Sequence, residues 1–551
     1  MLRTLHTYIG RDLAKVAVLA LAAFTLVMTV FAIIEPLRKQ GLEADKVLAL
    51  IAYTLPVMLS LTMPIAALFA ATIVYGRFSQ DNELMACRAS GVAMIALMKP
   101  ALLLGIAVTA ASLWLSNFVT PGLAERAAMA VKDNVRGIVY HQIRTQGYVS
   151  RGRRIVHATR VHPESNVLEG VVAVEQRSPE EVSIVTARRA KVTFRPAGKE
   201  TFVLLTLQDP MLVRRGERST AREKKLEVPR EFRLENPFSE DPAWYRWSRL
   251  LETLKDPAKN RDIQRALEKI KQEIAGEMLA KEVVAAIHDR NVYDQLEGQG
   301  KKCVLSAGAA RVVGRAAELY SAPGKDGKPR PVKAVVNEGG TVKTFLADTA
   351  RVEVDPQWQP LLGKSIVSVE LLPKGPNGKV WVWTGDPASK SPGSDQPSGK
   401  AKHILGKLDL PKTVARTLER IDLGEIYADP ERFTRDPGIL AQIEALQKYD
   451  IRKLTGKILG EMHGRVAYGL SCFLMVALGA ALGMLFRGGQ VLSAFALCVM
   501  PAAIVIVMVL MGKEMVANPD VPRPAGLACI WGGIIALVLG NAYVFLYRLR
   551  R

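Results

Sequence analysis

The sequence predicts an α-helical membrane protein in which six transmembrane helices, three plus three, enclose a large water-exposed domain. Long uncharged apolar runs occur in two groups, one towards each end of the chain. The stretch between Pro121 and Val466 is polar and carries short strand patterns. Hydrophobic residues make up 49% of the 551 residues and charged residues 23%, a mixture that fits neither a uniform membrane bundle nor a uniform soluble chain.

Six apolar runs are long enough to cross a membrane, which requires about 20 largely apolar residues. The first run is longer than the apolar region of a typical signal peptide, and no small-x-small cleavage site follows it, so we expect it to be retained. Pro56 and Pro64 would allow a kink in the second run. The runs are Val16–Ile34, Val47–Gly76, Pro100–Pro121, Val466–Phe486, Gln490–Gly512 and Pro524–Tyr547.

The distribution of Lys and Arg predicts which side of the membrane each end of a span faces. Basic residues concentrate in cytoplasmic loops of membrane proteins. Both chain ends and the short loops after the second and fourth runs share this bias, so we expect both termini in the cytoplasm and the polar stretch outside. The basic residues on this side are Arg3, Arg11, Lys15, Arg77, Arg88, Lys99, Arg487, Arg548, Arg550 and Arg551.

The polar stretch divides into three predicted parts between the membrane segments 1–121 and 466–551. Residues 122–240 show many short strands separated by turn signals, which predict an all-β, jelly-roll-like domain. Residues 241–405 begin with an amphipathic helix, with Ile263, Ile270 and Ile274 at helical spacing, and continue with strands, so they predict an α+β insert. A linker rich in Pro, Gly, Ser and Lys ends this insert, and residues 406–465 return to a helical pattern.

A short pattern occurs in both strand-rich parts. Ala187-x-x-Ala190-Lys191-Val192 is echoed by Ala347-x-x-Ala350-Arg351-Val352, and an apolar strand follows each. Either the insert contains a second β-sandwich of the same type, or two alternating strands resemble each other by chance. We expect residues 237–405 to be a module added to the β domain that lies off its functional path.

Charge and motifs exclude several classes of function. The net charge of +21 fits the basic flanks of membrane helices plus a basic soluble domain, or an affinity for anionic partners such as phosphorylated lipids. No nucleic-acid-binding motif is present. Of the five cysteines, only Cys303 lies in the polar stretch, and the spacing fits no zinc site. The seven histidines form no catalytic motif, so we predict no catalytic residues and no metal.

The chain also lacks the residues that bind nucleotide phosphates. The nearest fragment to a P-loop is Gly363-Lys364-Ser365, with Trp358 where the first glycine belongs. Any energy from ATP must therefore come from another chain, and we predict no cofactor in this one.

The loop between the second and third runs is the most informative segment. Its sequence from Gly76 to Gly91 places Glu83 and Cys87 four residues apart, on one face of a short helix. A glycine at position 91 suits the end of such a helix. The pattern predicts a helix that lies on the membrane face of the protein, either as a docking element or as a solvated cap on two spans.

This loop resembles the coupling-helix motif of the LptF/LptG permease family in its Gly-Arg, Glu-Leu and Arg-Ala-x-Gly elements. The three-plus-three layout around a periplasmic β domain is also the family's, as are Arg465 at the start of the fourth span and Arg487-Gly488-Gly489-Gln490 after it. The resemblance covers about residues 1–235 and 410–551, and it implies a subunit of the lipopolysaccharide-export ABC transporter in the inner membrane.

The resemblance also implies partners and sites. Two LptF/LptG-like subunits would form the channel, an LptB-like ATPase dimer would bind ATP, and LptC/LptA-like periplasmic jelly-roll proteins would receive lipopolysaccharide. The family's ATPase-contacting acidic residue corresponds to Glu83. The coupling residues implied here are Glu83, Leu84, Arg77, Arg88 and Gly91.

Substrate contacts follow less directly from the family layout. Basic residues near the outer end of span one correspond to Arg38 and Lys39, which either approach the lipid headgroup or anchor the helix at the interface. By topology alone, Thr25, Thr29, Ser493 and Met500 would line a lateral gate between spans one and five. The alternative function is a non-transporting envelope sensor or mechanotransmission protein whose periplasmic domain binds a partner.

Overall fold

The structure is a computed structural model of the full chain. It describes all residues except those in the segments named here, and the side chains of some helix and strand residues beside these segments are also outside the description. The segments are 1, 41–43, 124–125, 127–134, 152–153, 177–181, 198–199, 210, 215–216, 223–224, 234–240, 299, 324–328, 340, 356–365, 374–379, 385–397, 401–402, 486–490 and 550–551.

Six helices in the described part of the chain are long and apolar enough to cross a membrane, which confirms the predicted number and the three-plus-three arrangement. The helix in span four packs against the helices of spans two, three, five and six and is therefore the centre of the bundle. The membrane-region helices are α1 Leu2–Gln40, α2 Ala44–Gln80, the short α3 Glu83–Ala89, α4 Met94–Trp114, α11 Arg452–Leu485, α12 Val491–Ala517 and α13 Arg523–Tyr543.

Glycines bring the two halves of the bundle into close contact. A Cβ atom added to Gly479 would lie 2.9 Å from the carbonyl oxygen of Leu68, and one added to Gly483 would lie 2.8 Å from that of Thr72. Small residues allow membrane helices to approach this closely and gain dispersion contacts. The packing of α11 on α2 therefore depends on these two positions.

The first β unit, residues 135–233, follows the third span. It consists of helix α5 and a sheet of antiparallel strands in the order β1-β2-β3-β4-β5-β8, with β6 paired to β4 and to β7. A cluster of buried side chains from α5 and the sheet forms its core. The elements are α5 Val135–Gln146, β1 Tyr148–Arg151, β2 Arg154–His162, β3 Val167–Gln176, β4 Val182–Ala197, β5 Glu200–Gln208, β6 Met211–Arg214, β7 Glu217–Arg222 and β8 Lys225–Arg233.

A helical connector joins the β structure to span four. Its core combines side chains from both sides of residues 277–409, including Tyr245, Ile263 and Ile274 before them and Ile443 and Ile458 after them. Asn260 caps the long helix α7, accepting a hydrogen bond from the backbone N–H of residue 262 at 2.9 Å. The helices are α6 Trp247–Lys255, α7 Arg261–Arg290, α8 Lys412–Arg420, α9 Leu423–Ala428 and α10 Pro437–Ala445, which leads into α11.

The second β unit, residues 277–409, comprises the distal half of α7 and thirteen strands. Two antiparallel sheets, β20-β19-β16-β15-β10-β9 and β11-β12-β17-β18-β21, enclose one apolar core. The strands are β9 Val292–Gly298, β10 Lys301–Ser306, β11 Ala309–Val313, β12 Ala316–Tyr320, β13 Ala322–Pro323, β14 Pro329–Arg330, β15 Val332–Glu338, β16 Thr341–Ala347, β17 Thr349–Asp355, β18 Ile366–Leu372, β19 Val380–Thr384, β20 Ser398–Lys400 and β21 His403–Asp409.

The insert is not separated from the connector at the boundary expected from the sequence. Residues 241–276 share a core with helices that lie more than 140 positions later in the chain. Arg315, in the turn after β11, forms ion pairs with Glu273 at 2.9 Å and with Asp436 at 3.4 Å. The second β unit is therefore fixed to the connector, and the first part of the expected insert belongs to the connector itself.

Candidate functional site

The loop between spans two and three forms the short helix α3, which begins and ends at residues with left-handed backbone conformation. Asn82, before the helix, has φ of 59°, and Gly91, after it, has φ of 80°. Asparagine tolerates this conformation better than most residues and glycine adopts it freely. These two positions turn the chain sharply enough for a seven-residue helix to lie across the end of the bundle.

Helix α3 is seated on the membrane bundle by one leucine. Leu84 is only 2% exposed and packs in a cluster with Ile9 and Leu13 of α1, Phe78 of α2 and Leu97 of α4. Burying a leucine contributes about 1.5–3 kcal/mol relative to leaving it exposed. A displacement of α3 therefore acts directly on the first three spans.

The charged residues of this loop have separate surroundings. Glu83 and Arg88 are exposed, while Cys87 is half-buried beside the same apolar cluster. Arg77 is directed away from them, since its guanidinium lies 2.7 Å from a carboxylate oxygen of Asp12 on α1. The loop thus presents Glu83 and Arg88 outward, whereas Arg77 joins the first two spans.

Two buried hydrogen bonds tie this end of the bundle together, and no sequence motif indicated them. The Tyr75 hydroxyl donates to the Leu97 carbonyl at 2.7 Å, and the Ser79 hydroxyl donates to the Met484 carbonyl at 3.1 Å. The second bond joins α2 to the end of α11, across a sequence separation that only the folded structure brings together. Spans two, three and four therefore meet beneath α3.

The structure describes only some of the side chains that were expected to contact substrate. Arg38 and Lys39 belong to the last turn of α1, and their side chains fall outside the described part of the structure, as does that of Ser493. Thr25 is buried, and its hydroxyl lies 2.8 Å from that of Thr62 on α2, so it packs inside the bundle. Met500 on α12 is exposed.

An ion cluster, formed by Glu461, Arg465 and Lys513, lies at the end of the bundle opposite α3. A Glu461 carboxylate oxygen lies 2.5 Å from Lys513 Nζ, and its other oxygen lies 3.6 Å from Arg465 Nε. Arg465 is 7% exposed and donates to Asn117 Oδ1 at 3.1 Å and to the Ala243 carbonyl at 2.9 Å. This cluster joins spans three, four and five to the connector.

We expect the Glu461→Leu substitution to destabilise this joint, because it leaves Arg465 and Lys513 close together without a counter-charge. Removing one partner of a buried ion pair costs about 3–5 kcal/mol. A lowered unfolding temperature in detergent would report the loss. The double variant Glu461→Leu/Arg465→Leu should recover part of it, and equal losses in both variants would contradict the assignment.

No metal centre emerges in the part of the chain that the structure describes, where no group of three or more His, Cys, Asp or Glu side chains could hold an ion. Cys87, Cys303, Cys472 and Cys529 are all free thiols.

Three spans, a β-rich region and three further spans, with a seated loop helix at one end of the bundle, are the fold of a multi-pass membrane protein. Residues 7–276 and 420–551 match the family model described as lipopolysaccharide export system permease LptF/LptG, and the chain belongs to that family. No curated protein matches the chain. The match reaches further into the polar stretch than expected and leaves out residues 277–419, which contain the second β unit.

Proposed function

We propose that this chain is the permease subunit of an ABC transporter that extracts lipopolysaccharide, or a related glycolipid, from the inner membrane. It would pass the lipid to a periplasmic bridge of β-jelly-roll proteins. The observation that carries the proposal is helix α3, which presents Glu83 outward while Leu84 holds it against three spans. Family membership supplies the substrate class.

The loop helix suits a contact with an LptB-like ATPase dimer, which would bind the ATP. An exposed carboxylate can pair with a basic residue of the partner and keep the two proteins in register. A push on α3 would reach the bundle through Leu84, and through the Ser79 hydrogen bond it would reach α11. In this proposal Arg88 and Gly91 shape the contact, and Arg77 holds α1 against α2.

A second LptF/LptG-like subunit would complete the channel. Helix α1 exposes Val18, Leu19 and Phe31, and α12 exposes Met500 and Ile504, all apolar side chains on membrane helices. Such faces suit lipid or another membrane subunit. Arg38 and Lys39 would then stand near the outer mouth, where cations favour phosphorylated headgroups.

Reconstitution with an ATPase partner tests the proposal. The chain should co-purify from detergent with an ATPase and with a second permease subunit. ATP should then increase photo-crosslinking of lipopolysaccharide to the first β unit. ATP-independent crosslinking, or a chain that purifies without an ATPase, would favour the envelope sensor instead.

Membrane orientation is a separate prediction. We expect both termini in the cytoplasm and residues 122–464 in the periplasm. Lys and Arg are concentrated at both chain ends and in the short loops after the second and fourth spans, and basic residues favour the cytoplasmic side. Alkaline phosphatase fused after residue 240 should be active, while fusions after residues 82 and 551 should be inactive. The reverse pattern would place α3 outside and remove its contact with a cytoplasmic ATPase.

A further inference from the structure

The two β units begin in the same way. In each, a helix ends at a residue with positive φ, Gly147 at 78° in the first and Asn291 at 55° in the second. Each of these residues donates its backbone N–H to the carbonyl four positions earlier, at 2.9 Å. Each then accepts a backbone hydrogen bond from an alanine of the second strand or directly after it, Ala158 within β2 at 3.2 Å and Ala307 after β10 at 3.3 Å.

The two β units also share the same strand connections, except that three strands of the first unit are each divided in two in the second. Strands β2, β3 and β4 of the first unit are continuous, whereas the second unit divides each in two, as β10/β11, β12/β15 and β16/β17. With that division, β1, β5, β6, β7 and β8 correspond to β9, β18, β19, β20 and β21, and every antiparallel pairing is reproduced. Among its described residues, the second unit adds only the hairpin β13–β14.

The correspondence holds residue by residue in the cores. Ala190 pairs with a leucine on each neighbouring strand, and so does Ala350. The register of β5 on β8 is interrupted between Val203 and Leu205, and that of β18 on β21 at the matched place. Identical matched residues are Val139/Val283, Ile143/Ile287, Ala158/Ala307, Leu168/Leu319, Val171/Val332, Ala173/Ala334, Ala187/Ala347, Ala190/Ala350, Val192/Val352, Val203/Val367 and Leu207/Leu371.

The echo between residues 187–192 and 347–352 is therefore the short visible part of a longer repeat. Its alanines and valines are buried in both units and hold central positions in the sheets. Substitutions at these buried positions would disturb the core of either unit, whereas exposed positions can differ freely. Chance resemblance of two alternating strands would not reproduce all seven strand pairings of the first unit.

The two units differ in the size of three neighbouring interior side chains. The first unit has valine at all three positions, and the second unit has tyrosine, leucine and phenylalanine. These residues lie in one register row across four paired strands, with Ala173 or Ala334 between the second and the third, so they share the inner face of the sheet. The matched pairs are Val149/Tyr293, Val156/Leu305 and Val185/Phe345.

Two further contacts close the second unit. Phe345 stacks on His403 with ring centroids 4.6 Å apart, and these residues belong to opposite sheets. The Tyr293 hydroxyl donates to Glu282 on α7 at 3.1 Å, and the other oxygen of Glu282 accepts from Thr413 at 2.8 Å. Parting the two sheets would break the ring stacking and expose large apolar side chains, and moving α7 away from β9 would break the Tyr293 hydrogen bond.

At one place in the core, the first unit has larger side chains than the second. Tyr140 and Phe194 stand where the second unit has Val284 and Val354, and their rings pack edge to face with centroids 5.9 Å apart. The apolar bulk of the first unit is therefore concentrated beside α5. Opening the core at the row of three valines would expose less apolar surface than opening it at the matched row of the second unit.

We infer that residues 135–233 and 277–409 are two copies of one helix-and-sheet unit, and that only the first copy opens to take an acyl chain. The second copy is sealed by Tyr293, Leu305 and Phe345. The assignment of acyl chains to the first copy rests on the proposed function, whereas the repeat and the closure of the second copy do not.

Photo-crosslinking at matched interior positions tests the division of roles. A photoreactive phenylalanine analogue replaces Val185 in one variant and Phe345 in the other, each in the complete transporter with lipopolysaccharide and ATP. We expect a lipid crosslink at position 185 and none at position 345. A crosslink at position 345 would overturn the sealed second copy, and a lack of crosslinks at both positions would overturn acyl uptake by the first.

Labelling of the natural thiol of Cys303 tests whether the core of the second unit stays closed, and it requires no substitution in that unit. Cys303 is fully buried in β10, and burial raises its pKa to about 12, so it reacts only when the core opens and a thiolate forms. During ATP turnover, maleimide should label Cys303 at least about tenfold more slowly than a cysteine introduced by Val185→Cys, since the sealed core opens only globally. Equal rates would overturn closure, whatever the lipid crosslinks show. Slow labelling of Cys303 together with no lipid crosslink at either position would instead count against the lipid-carrying function.

Discussion

Glu83→Lys is expected to uncouple the permease from its ATPase while leaving the membrane bundle intact. Glu83 is exposed on α3, so reversing its charge costs nothing inside the chain. At an interface, the loss of a paired carboxylate removes about 2–5 kcal/mol of docking free energy, and the new like-charge contact adds to that loss. Co-purification with the ATPase, and stimulation of ATP hydrolysis by the permease, should both fall to background.

Asp81→Lys provides a matched control. It makes the same change of charge on the same loop, also at an exposed position, but outside α3. Unchanged unfolding temperatures in detergent for both variants would show that neither affects folding. Wild-type assembly and transport by Glu83→Lys would contradict the docking role, as would an equal loss in Asp81→Lys.

Removal of residues 241–400 is expected to prevent assembly, in contrast to the expectation from sequence that this segment is a separate module. The excision takes away Tyr245, Ile263, Ile270 and Ile274 from the connector core. Losing one large buried side chain costs about 2–5 kcal/mol, and a folded domain has only about 5–15 kcal/mol in total. The protein should fail to purify as a single species in detergent.

A second excision, chosen from the structure, should be tolerated. Glu282 and Thr413 are in contact, so a short Gly/Ser linker can replace residues 284–411 without moving either end. Leu279→Gln and Val283→Gln keep the newly uncovered face of α7 polar. We expect this protein to insert, to bind the ATPase and to load lipid onto the first β unit. A folded protein that binds the ATPase but loads no lipid would place the second unit on the transport path.

The six spans and the loop helix could be predicted from the sequence because each is a local pattern. A span is a run of apolar residues, and α3 lies between two residues that turn the chain. The connector could not be predicted in this way, because its core joins residues near 245–274 to residues near 439–458, and a complete domain separates them. The ion pair of Arg77 with Asp12 likewise joins positions with no shared motif.

Most of the repeat between the two β units could not be recognised from the sequence either. Only residues near 187 and 347 retained enough contiguous identity to be noticed, because in both copies these positions are buried in the core. Elsewhere the splitting of three strands and the added hairpin shift the spacing, so the two sequences fall out of step. The strand pairings still reveal which residues of the two units correspond, because each residue is matched through its partner on the neighbouring strand and not through its distance along the chain.

Helix α7 packs in two cores at once, so it can transmit a movement of the connector to the second β unit. Its first half packs in the connector and its second half in the second β unit. With 30 residues at 1.5 Å each, it is about 45 Å long, so a tilt of about 10° at its base would move its far end by about 8 Å. The connector continues directly into α11, so small rotations of span four would be amplified into a large displacement of the second unit.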